Sequence, residues 1–289
     1  MASRNAITDL HSAKSYISNT KENRSGGGPD SSFVALRRYF DIILYQTQVD
    51  IKDEASRYFL GLLWWFIDPL MYVLIFSLLH RSGMQLGSPD NHLMKLIVGV
   101  SLWRFFAGSL PGAANSIMGN NVLINQVALP KWIFPIQALL LNLVKFFFLL
   151  LVVFAYLWSA SAPFSIHYLS FPIVFAVYFM ITIAFSILVA AVVPFFPDIR
   201  NMIGSLVLFL MFTSGVFFSI SDLSPDVQHI FYLNPFAVIL ESFKRVLVDG
   251  RWPMWNGLFI IFVSVLPILF LGFRILHRFS HEYPKMQRG

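Results

Sequence analysis

The chain contains no cysteine, and only 12% of its 289 residues are charged, whereas 57% are hydrophobic. The absence of cysteine excludes disulfide bonds and thiolate metal sites. The shortage of charge, together with 31 phenylalanines, excludes an ordinary soluble domain, because one core of this size cannot hide so much apolar surface. Lipid is therefore expected to cover much of the molecule.

Motifs for nucleotide and metal binding are also missing. No lysine follows a glycine, so the chain has no glycine-rich phosphate-binding loop. If ATP drives this protein, we expect a separate polypeptide to bind ATP and Mg²⁺, and we predict no cofactor on this chain. Only His277 and His281 share helical spacing, and their position at a helix end favours solvation over a metal site. No nucleophile, base and orienting acid are grouped, so no catalytic residue is predicted.

Six long apolar stretches lie between Leu60 and Leu276, separated by polar or Pro/Gly-containing joints. A bilayer core about 30 Å thick needs about 20 residues of helix at about 1.5 Å each. Backbone polar groups in lipid must also bond within their own segment. We therefore predict an all-α polytopic membrane protein with six transmembrane helices. The predicted spans are residues 60–79, 96–111, 136–158, 170–195, 202–220 and 255–276.

The placement of lysine and arginine predicts the orientation. With the N-terminus inside, 14 of the 21 basic residues fall on the inner side, so both termini are expected in the cytoplasm. These residues flank apolar runs and form no stripe, so no nucleic-acid partner is expected. Residues 1–32 lack an apolar signal segment and are predicted to be a disordered cytoplasmic tail. After this tail we predict an amphipathic interface helix over 33–58, a transmembrane domain over 59–278 and a cytoplasmic tail over 279–289.

Segment 234–249 is apolar on one face but too short to span a bilayer. Asn234 is a suitable N-cap, and Pro235 suits the first helical turn. Glu241 and Arg245 have the spacing of an i,i+4 ion pair. Because a helix of about 15 residues reaches only about 22 Å, we predict a short re-entrant helical hairpin on the outer side, between the fifth and sixth spans.

Three ionisable side chains fall inside predicted spans, where charge is costly and is usually paired or in contact with water. Asp68 and Lys145 lie at similar depths from the inner end, so we predict an intramembrane ion pair between them, with substrate contact as the alternative. Arg104 lies in the second span. Its guanidinium suits a carboxylate, a helix end or a lipid phosphate.

Five segments, in this order, resemble one known family. They are 58–70 (YFLGLLWWFIDPL), 99–106 (GVSLWRFF), 121–131 with its NVLI and LPK elements, 197–201 (PDIRN) and 233–236 (LNPF). The chain resembles the membrane subunits of ABC-2 type exporters, in particular those of bacterial O-antigen, capsular or teichoic-acid polysaccharides. The resemblance runs from about Arg38 to the C-terminus. Asp68 departs from the family pattern, because such sequences often carry glutamate at this position. The family resemblance also does not explain the polar N-terminal tail.

The resemblance implies a permease subunit that forms a homodimer in the bacterial inner membrane and works with two copies of a cytoplasmic ABC ATPase subunit. The implied substrate is a lipid-linked polysaccharide of O-antigen type, moved through a channel with aromatic walls. The channel candidates are Trp64, Trp65, Tyr72, Trp103, Arg104, Phe105 and Phe106. The candidates for ATPase coupling, in a short helix of the inner loop, are Asn121, Leu123, Ile124 and Lys131.

Other functions stay open at this stage. An ABC-2 exporter of drugs or small lipids would share the scaffold but have a narrower, less aromatic passage. A membrane-embedded glycosyl or acyl transferase would need an acidic or histidine pair that faces one cavity. An ion-coupled secondary transporter would show an inverted repeat, and no convincing repeat is visible.

Overall fold

The computed structural model of the protein describes residues 31–57, 61–81, 91–120, 129–160, 165–280 and 283. Within these ranges every regular element is a helix, which confirms the all-α prediction for this part of the chain. The α-helices are α1 (Ser31–Arg57), α2 (Trp64–Arg81), α3 (His92–Gly119), α4 (Ile133–Ser159), α5 (Phe171–Val192), α6 (Asp198–Thr213), α7 (Pro225–Phe231), α8 (Pro235–Leu247) and α9 (Trp255–Arg278). Short 3₁₀ helices at Gly61–Leu63, Ile166–Ser170 and Ile220–Asp222 precede α2, α5 and α7.

Four helices in the described ranges are long and apolar enough to cross a membrane. They are α3, α4, α9 and the segment Ile166–Val192, which contains α5. These helices correspond to the second, third, sixth and fourth predicted spans. The first and fifth predicted spans correspond to α2, which has 18 residues with a shorter apolar stretch, and to α6, which has 16. At about 1.5 Å per residue, α6 extends only about 24 Å.

The second predicted span ends too early in the sequence-based prediction. Helix α3 continues through Pro111 to Gly119, whereas the prediction stopped at residue 111. Proline removes one backbone hydrogen bond from a helix. Here the turn after Pro111 is packed in the core, since Ala113 and Ile117 are fully buried. Burial of this face therefore outweighs the local preference of proline for ending a helix.

The fifth predicted span, in contrast, extends too far. It covered residues 202–220, but α6 ends at Thr213. Gly215 follows with a φ of 66°, a left-handed conformation that glycine adopts without steric cost. The Ser214 hydroxyl donates to the Leu210 carbonyl at 2.5 Å, which satisfies one of the last carbonyls of the helix. The chain therefore turns where the hydropathy pattern continues.

Helix α3 lies at the centre of the core and contacts α4, α5, α6 and α8. The fully buried Tyr178 of α5 donates its hydroxyl to the Leu102 carbonyl of α3 at 2.5 Å. Gly108 and Gly112 let α3 approach α4 closely, because a Cβ atom on Gly108 would lie 2.9 Å from Oδ1 of Asn142. Small residues one turn apart are typical of close helix packing in membranes.

The chain divides into two units, residues 1–42 and 43–289. Of the first unit the structure describes only the start of α1, so nearly all of the predicted tail over 1–32 lies outside the described residues. In the second unit the rest of α1 buries Ile43 and Thr47, and the Thr47 hydroxyl donates to the Ile43 carbonyl at 2.7 Å. The second unit contains every other helix.

Two helices, α7 and α8, lie between α6 and α9, where the sequence predicts a re-entrant hairpin. Asn234 caps α8, because its side-chain oxygen accepts from the Phe236 amide at 3.0 Å, and Pro235 occupies the first turn. The Asn234 amide also donates to the Ser214 hydroxyl at 2.9 Å. Eleven of the 13 residues of α8 are buried, whereas α7 has no buried residue. Helix α8 is therefore part of the core of the second unit.

Candidate functional site

A cavity of about 490 Å³ opens between the C-terminal part of α1 and helices α2, α3 and α4, all within the second unit. Its lining combines aromatic rings with charged groups and one amide. The aromatic residues are Trp64, Trp65, Phe105 and Phe146, the charged ones Glu54, Asp68, Arg104 and Lys145, and the amide is Asn142. Such a mixture of apolar walls and a few polar groups is typical of ligand sites.

The aromatic wall has one projecting ring and a packed layer behind it. Trp64 is 47% exposed. Trp65 packs against Phe148 of α4, with 5.4 Å between ring centroids. Phe105 is buried and packs against Phe146, with 5.0 Å between centroids. Trp64 is therefore the ring with the most surface available to a ligand, and the other rings pack behind it in the wall of the cavity.

Asp68 and Lys145 both line the cavity, but each pairs with a partner that the sequence did not indicate. Asp68 accepts a hydrogen bond from the guanidinium of Arg104. The ammonium of Lys145 lies 2.7 Å from Oε1 of Glu54. The predicted Asp68–Lys145 ion pair is therefore not formed in the structure. Comparison of depths along α2 and α4 omitted α1 and α3, which supply the opposite charges at shorter range.

Each cation of the cavity also lies over an aromatic ring. The Arg104 Cζ atom is 4.8 Å from the centroid of the Tyr72 ring. The Lys145 Nζ atom is 5.8 Å from the centroid of the Trp65 ring. Cation–π attraction of this kind holds a charged group in place and strengthens as water is removed. The side chains of Arg104 and Lys145 stay 38% and 31% exposed, so both remain accessible from the cavity.

A second polar contact joins α1 to α4 one turn before Glu54. The side-chain amide of Gln137 donates to Oδ2 of Asp50 at 2.7 Å. Asp50 and Glu54 continue the helical spacing of the buried Ile43 and Thr47, so one face of α1 carries both apolar and acidic contacts. The sequence analysis predicted an amphipathic helix here and singled out neither Asp50 nor Glu54. The helical spacing of Asp50 and Glu54 from Ile43 and Thr47 is the sequence signal that places them on the face of α1 that contacts α4.

Two of the predicted channel residues, Trp103 and Phe106, lie in the core and do not line the cavity. They are 3% and 0% exposed. The Trp103 ring packs against Phe106 and against Phe236 of α8, with centroid separations of 5.4 Å and 5.7 Å. This face of α3 turns towards α8, whereas Arg104 and Gly108, one turn apart, face the cavity. Trp64, Trp65, Arg104 and Phe105 line the cavity, and Tyr72 supports Arg104.

Of the residues predicted to couple to an ATPase, Asn121, Leu123 and Ile124 lie outside the described residues. Lys131 is described and is only 8% exposed. Burial lowers its pKa, because removal from water disfavours the charged ammonium. The Lys131 side chain therefore packs into the protein and does not project as a docking group.

Near Lys131 in the chain, Phe134 belongs to a small hydrophobic cluster with Ile117 and Tyr283. Tyr283 is fully buried, and its hydroxyl donates to the Ala191 carbonyl at the end of α5 at 3.0 Å. Its ring lies 5.4 Å from that of Phe195. Tyr283, which follows α9 in the chain, is thus fixed against the ends of α3, α4 and α5.

The predicted Glu241–Arg245 pair is not formed in this part of the structure. Glu241 is 1% exposed, and its Oε2 atom has no hydrogen-bond partner among the described residues. The polar contact that the sequence did not reveal belongs to Lys244. Its buried ammonium donates to the carbonyls of Gly215 and Phe218 at 2.5 Å and 2.8 Å. No pattern in the sequence distinguishes this lysine from an exposed residue at a helix end.

These features define a helical membrane protein with a polar cavity that has aromatic walls. Residues 46–248 match the ABC-2 type transporter family, and this match covers well over half of the chain. The chain therefore belongs to the ABC-2 type transporter family, as the sequence motifs predicted.

Three proteins with similar sequences carry more specific names than the family. The chain is 24% identical over 220 residues to the O-antigen export system permease protein RfbA of Myxococcus xanthus, which covers 75% of this chain and 84% of that protein. It is 23% identical over 249 residues to an RfbA permease of Klebsiella pneumoniae, with 86% and 95% covered. It is 21% identical over 239 residues to the capsule polysaccharide export inner-membrane protein CtrC of Neisseria meningitidis, with 80% and 88% covered.

Proposed function

We propose that this chain is the permease subunit of an ATP-driven exporter that moves a lipid-linked polysaccharide of O-antigen type across the bacterial inner membrane. Family membership supports a transport role. The names of the relatives, O-antigen export permeases and a capsule polysaccharide export protein, support a glycan as cargo. The observation that carries the proposal in this chain is the lining of the cavity, where tryptophans lie beside hydrogen-bonding groups.

Sugars present two chemically different surfaces to a protein. Their ring C–H faces pack against apolar aromatic faces, and their hydroxyls need donors and acceptors. Trp64 offers an exposed indole face. Glu54, Asp68 and Asn142 offer oxygen acceptors within the same cavity. Contacts of this kind are individually weak, which suits a long polymer that must move past the site many times.

The proposed assembly is a homodimer with two copies of a cytoplasmic ABC ATPase, and both termini of the permease lie in the cytoplasm. The absence of a phosphate-binding loop from this sequence supports a separate ATPase. In this arrangement α2 and α6 complete six membrane crossings. Both helices expose large apolar side chains, among them Leu74 and Phe209, which suit contact with lipid or a second subunit.

Two further elements receive roles in this proposal. Helices α7 and α8 form the re-entrant hairpin at the outer side, with α8 held in the core and α7 exposed. Asn121, Leu123 and Ile124, between α3 and α4, contact the ATPase. Phe134, near the start of α4, packs in one hydrophobic cluster with Ile117 of α3 and with Tyr283.

Reconstitution tests the proposal. The chain is placed in liposomes with its partner ATPase and with undecaprenyl-diphosphate-linked O-polysaccharide, and polysaccharide that reaches the opposite side is measured. We expect transfer that needs ATP hydrolysis and both proteins. Trp64→Ala should lower the transfer rate several-fold, whereas Trp158→Ala, which removes an exposed indole away from the cavity, should not. Transfer by the chain alone, or hydrolysis without transfer, would contradict the proposal.

A further inference from the structure

The cations of the cavity are already bonded to carboxylates. Arg104 donates to Asp68, and Lys145 lies 2.7 Å from Glu54. Among the lining residues that the structure describes, the charged groups are these two carboxylates and these two cations. The described lining is therefore balanced in charge, and each cation has a carboxylate in contact with it.

We propose that this pairing makes the cavity selective for uncharged sugar repeats over polyanionic ones, with Glu54 and Asp68 as the residues that determine the selectivity. This inference rests on the proposed export function. An anionic sugar that approaches Arg104 or Lys145 meets the carboxylate already bound there. It must either displace that carboxylate or accept repulsion from it, and this repulsion is stronger in the partly buried cavity than in bulk water.

An uncharged sugar meets no such penalty. A hydroxyl both donates and accepts, so it can donate to a free lone pair of Glu54 or Asp68 and accept from an N–H of Arg104. An arginine carries five N–H donors, and more than one remains after a single bond to Asp68. The exposed indole face of Trp64 supplies the apolar contact for the ring. The paired charges thus serve as hydrogen-bonding groups.

Removal of one charge should change the selectivity with a predictable sign. Glu54→Gln or Asp68→Asn leaves a cation without its carboxylate and should favour an anionic sugar. Lys145→Gln leaves a carboxylate without its cation and should weaken the binding of an anionic sugar further. A unit charge about 8 Å away, at an effective dielectric constant of about 20 to 40, changes binding about five- to thirty-fold.

The experiment uses the full chain in nanodiscs with two probes of equal length, maltoheptaose and hepta-galacturonate. Tryptophan fluorescence titrations give the two dissociation constants, and their ratio is the measured quantity. We expect wild type to bind maltoheptaose more tightly. The ratio of galacturonate to maltoheptaose dissociation constants should fall about five- to thirty-fold in Glu54→Gln and in Asp68→Asn, and rise in Lys145→Gln.

Asp249→Asn is the matched control. It breaks a similar ion pair, Lys95–Asp249 at 2.9 Å, that lies away from the cavity, and it should leave the ratio unchanged. Thermal unfolding of each variant verifies that it is folded. Because two carboxylate variants are measured independently, the test still works if one of them does not fold.

An unchanged ratio in both carboxylate variants, or an equal shift in Asp249→Asn, overturns the inference. If the ratio is unchanged while the reconstituted complex exports a neutral polymer, only the selectivity is wrong. If neither probe binds and the complex exports no glycan, the proposed function is wrong as well.

Discussion

The Glu54–Lys145 pair provides a quantitative test of the packing of α1 on α4. Its nitrogen and oxygen atoms are 2.7 Å apart, and both side chains are 31% exposed. Exposed ion pairs contribute about 0.2–1 kcal/mol, and breaking a fully buried pair costs about 3–5 kcal/mol. A pair with intermediate exposure should therefore have a coupling energy of about 1–2 kcal/mol, which a double-mutant cycle measures directly.

The cycle uses Glu54→Gln, Lys145→Gln and the double variant, with the free energy of unfolding measured at equilibrium in mixed micelles. The matched control is a second cycle that pairs Lys145→Gln with Asp68→Asn. Asp68 lines the same cavity but bonds to Arg104. The coupling in this cycle should be smaller than that between Glu54 and Lys145, because Asp68 and Lys145 form no ion pair with each other. A larger coupling in the Asp68 cycle than in the Glu54 cycle would show that the pairing assigned here is wrong.

Further substitutions test the core in the same unfolding assay. Gly99→Ala should destabilise by about 1–3 kcal/mol, because its Cβ atom would lie 2.6 Å from a backbone carbonyl of the loop after α6, whereas Gly204→Ala, with no atom within 4 Å, should not destabilise. Tyr283→Phe should cost about 1 kcal/mol through loss of the bond to Ala191, with little change in the packing of the ring. Trp103→Ala should cost about 3–5 kcal/mol by opening a cavity in the core, so reduced export in this variant would not indicate contact with glycan.

The positions of the helices follow from the sequence because their signals are local. Runs of apolar residues predict the helices that cross a membrane, and the described part of the chain has four of them at the predicted places. The cap of α8 is equally local, since Asn234 bonds to an amide two residues away. The ends of α3 and α6 were predicted less well. They depend on burial of Ile117 and on the backbone turn at Gly215, which hydropathy does not report.

The partners within the cavity were not predictable, because they depend on which helices are neighbours and on how each is rotated. Asp68 and Lys145 do lie in one cavity, as their similar depth suggested. Their actual partners come from α1 and α3. Trp103 and Arg104 are adjacent in sequence, yet one is core and the other lines the cavity, since consecutive residues of a helix point about 100° apart.

Lys244 shows that a count of basic residues mixes two physical roles. The sequence-based orientation counted it as an outer basic residue, on the premise that such residues interact with water and lipid headgroups. In the structure it is 1% exposed, and its ammonium bonds to the carbonyls of Gly215 and Phe218. A lysine buried in this way satisfies carbonyls of the turn that follows α6, and its charge says little about the side of the membrane. Lys131, which was counted on the inner side, is buried as well, so leaving out both lysines does not change the difference between the two sides.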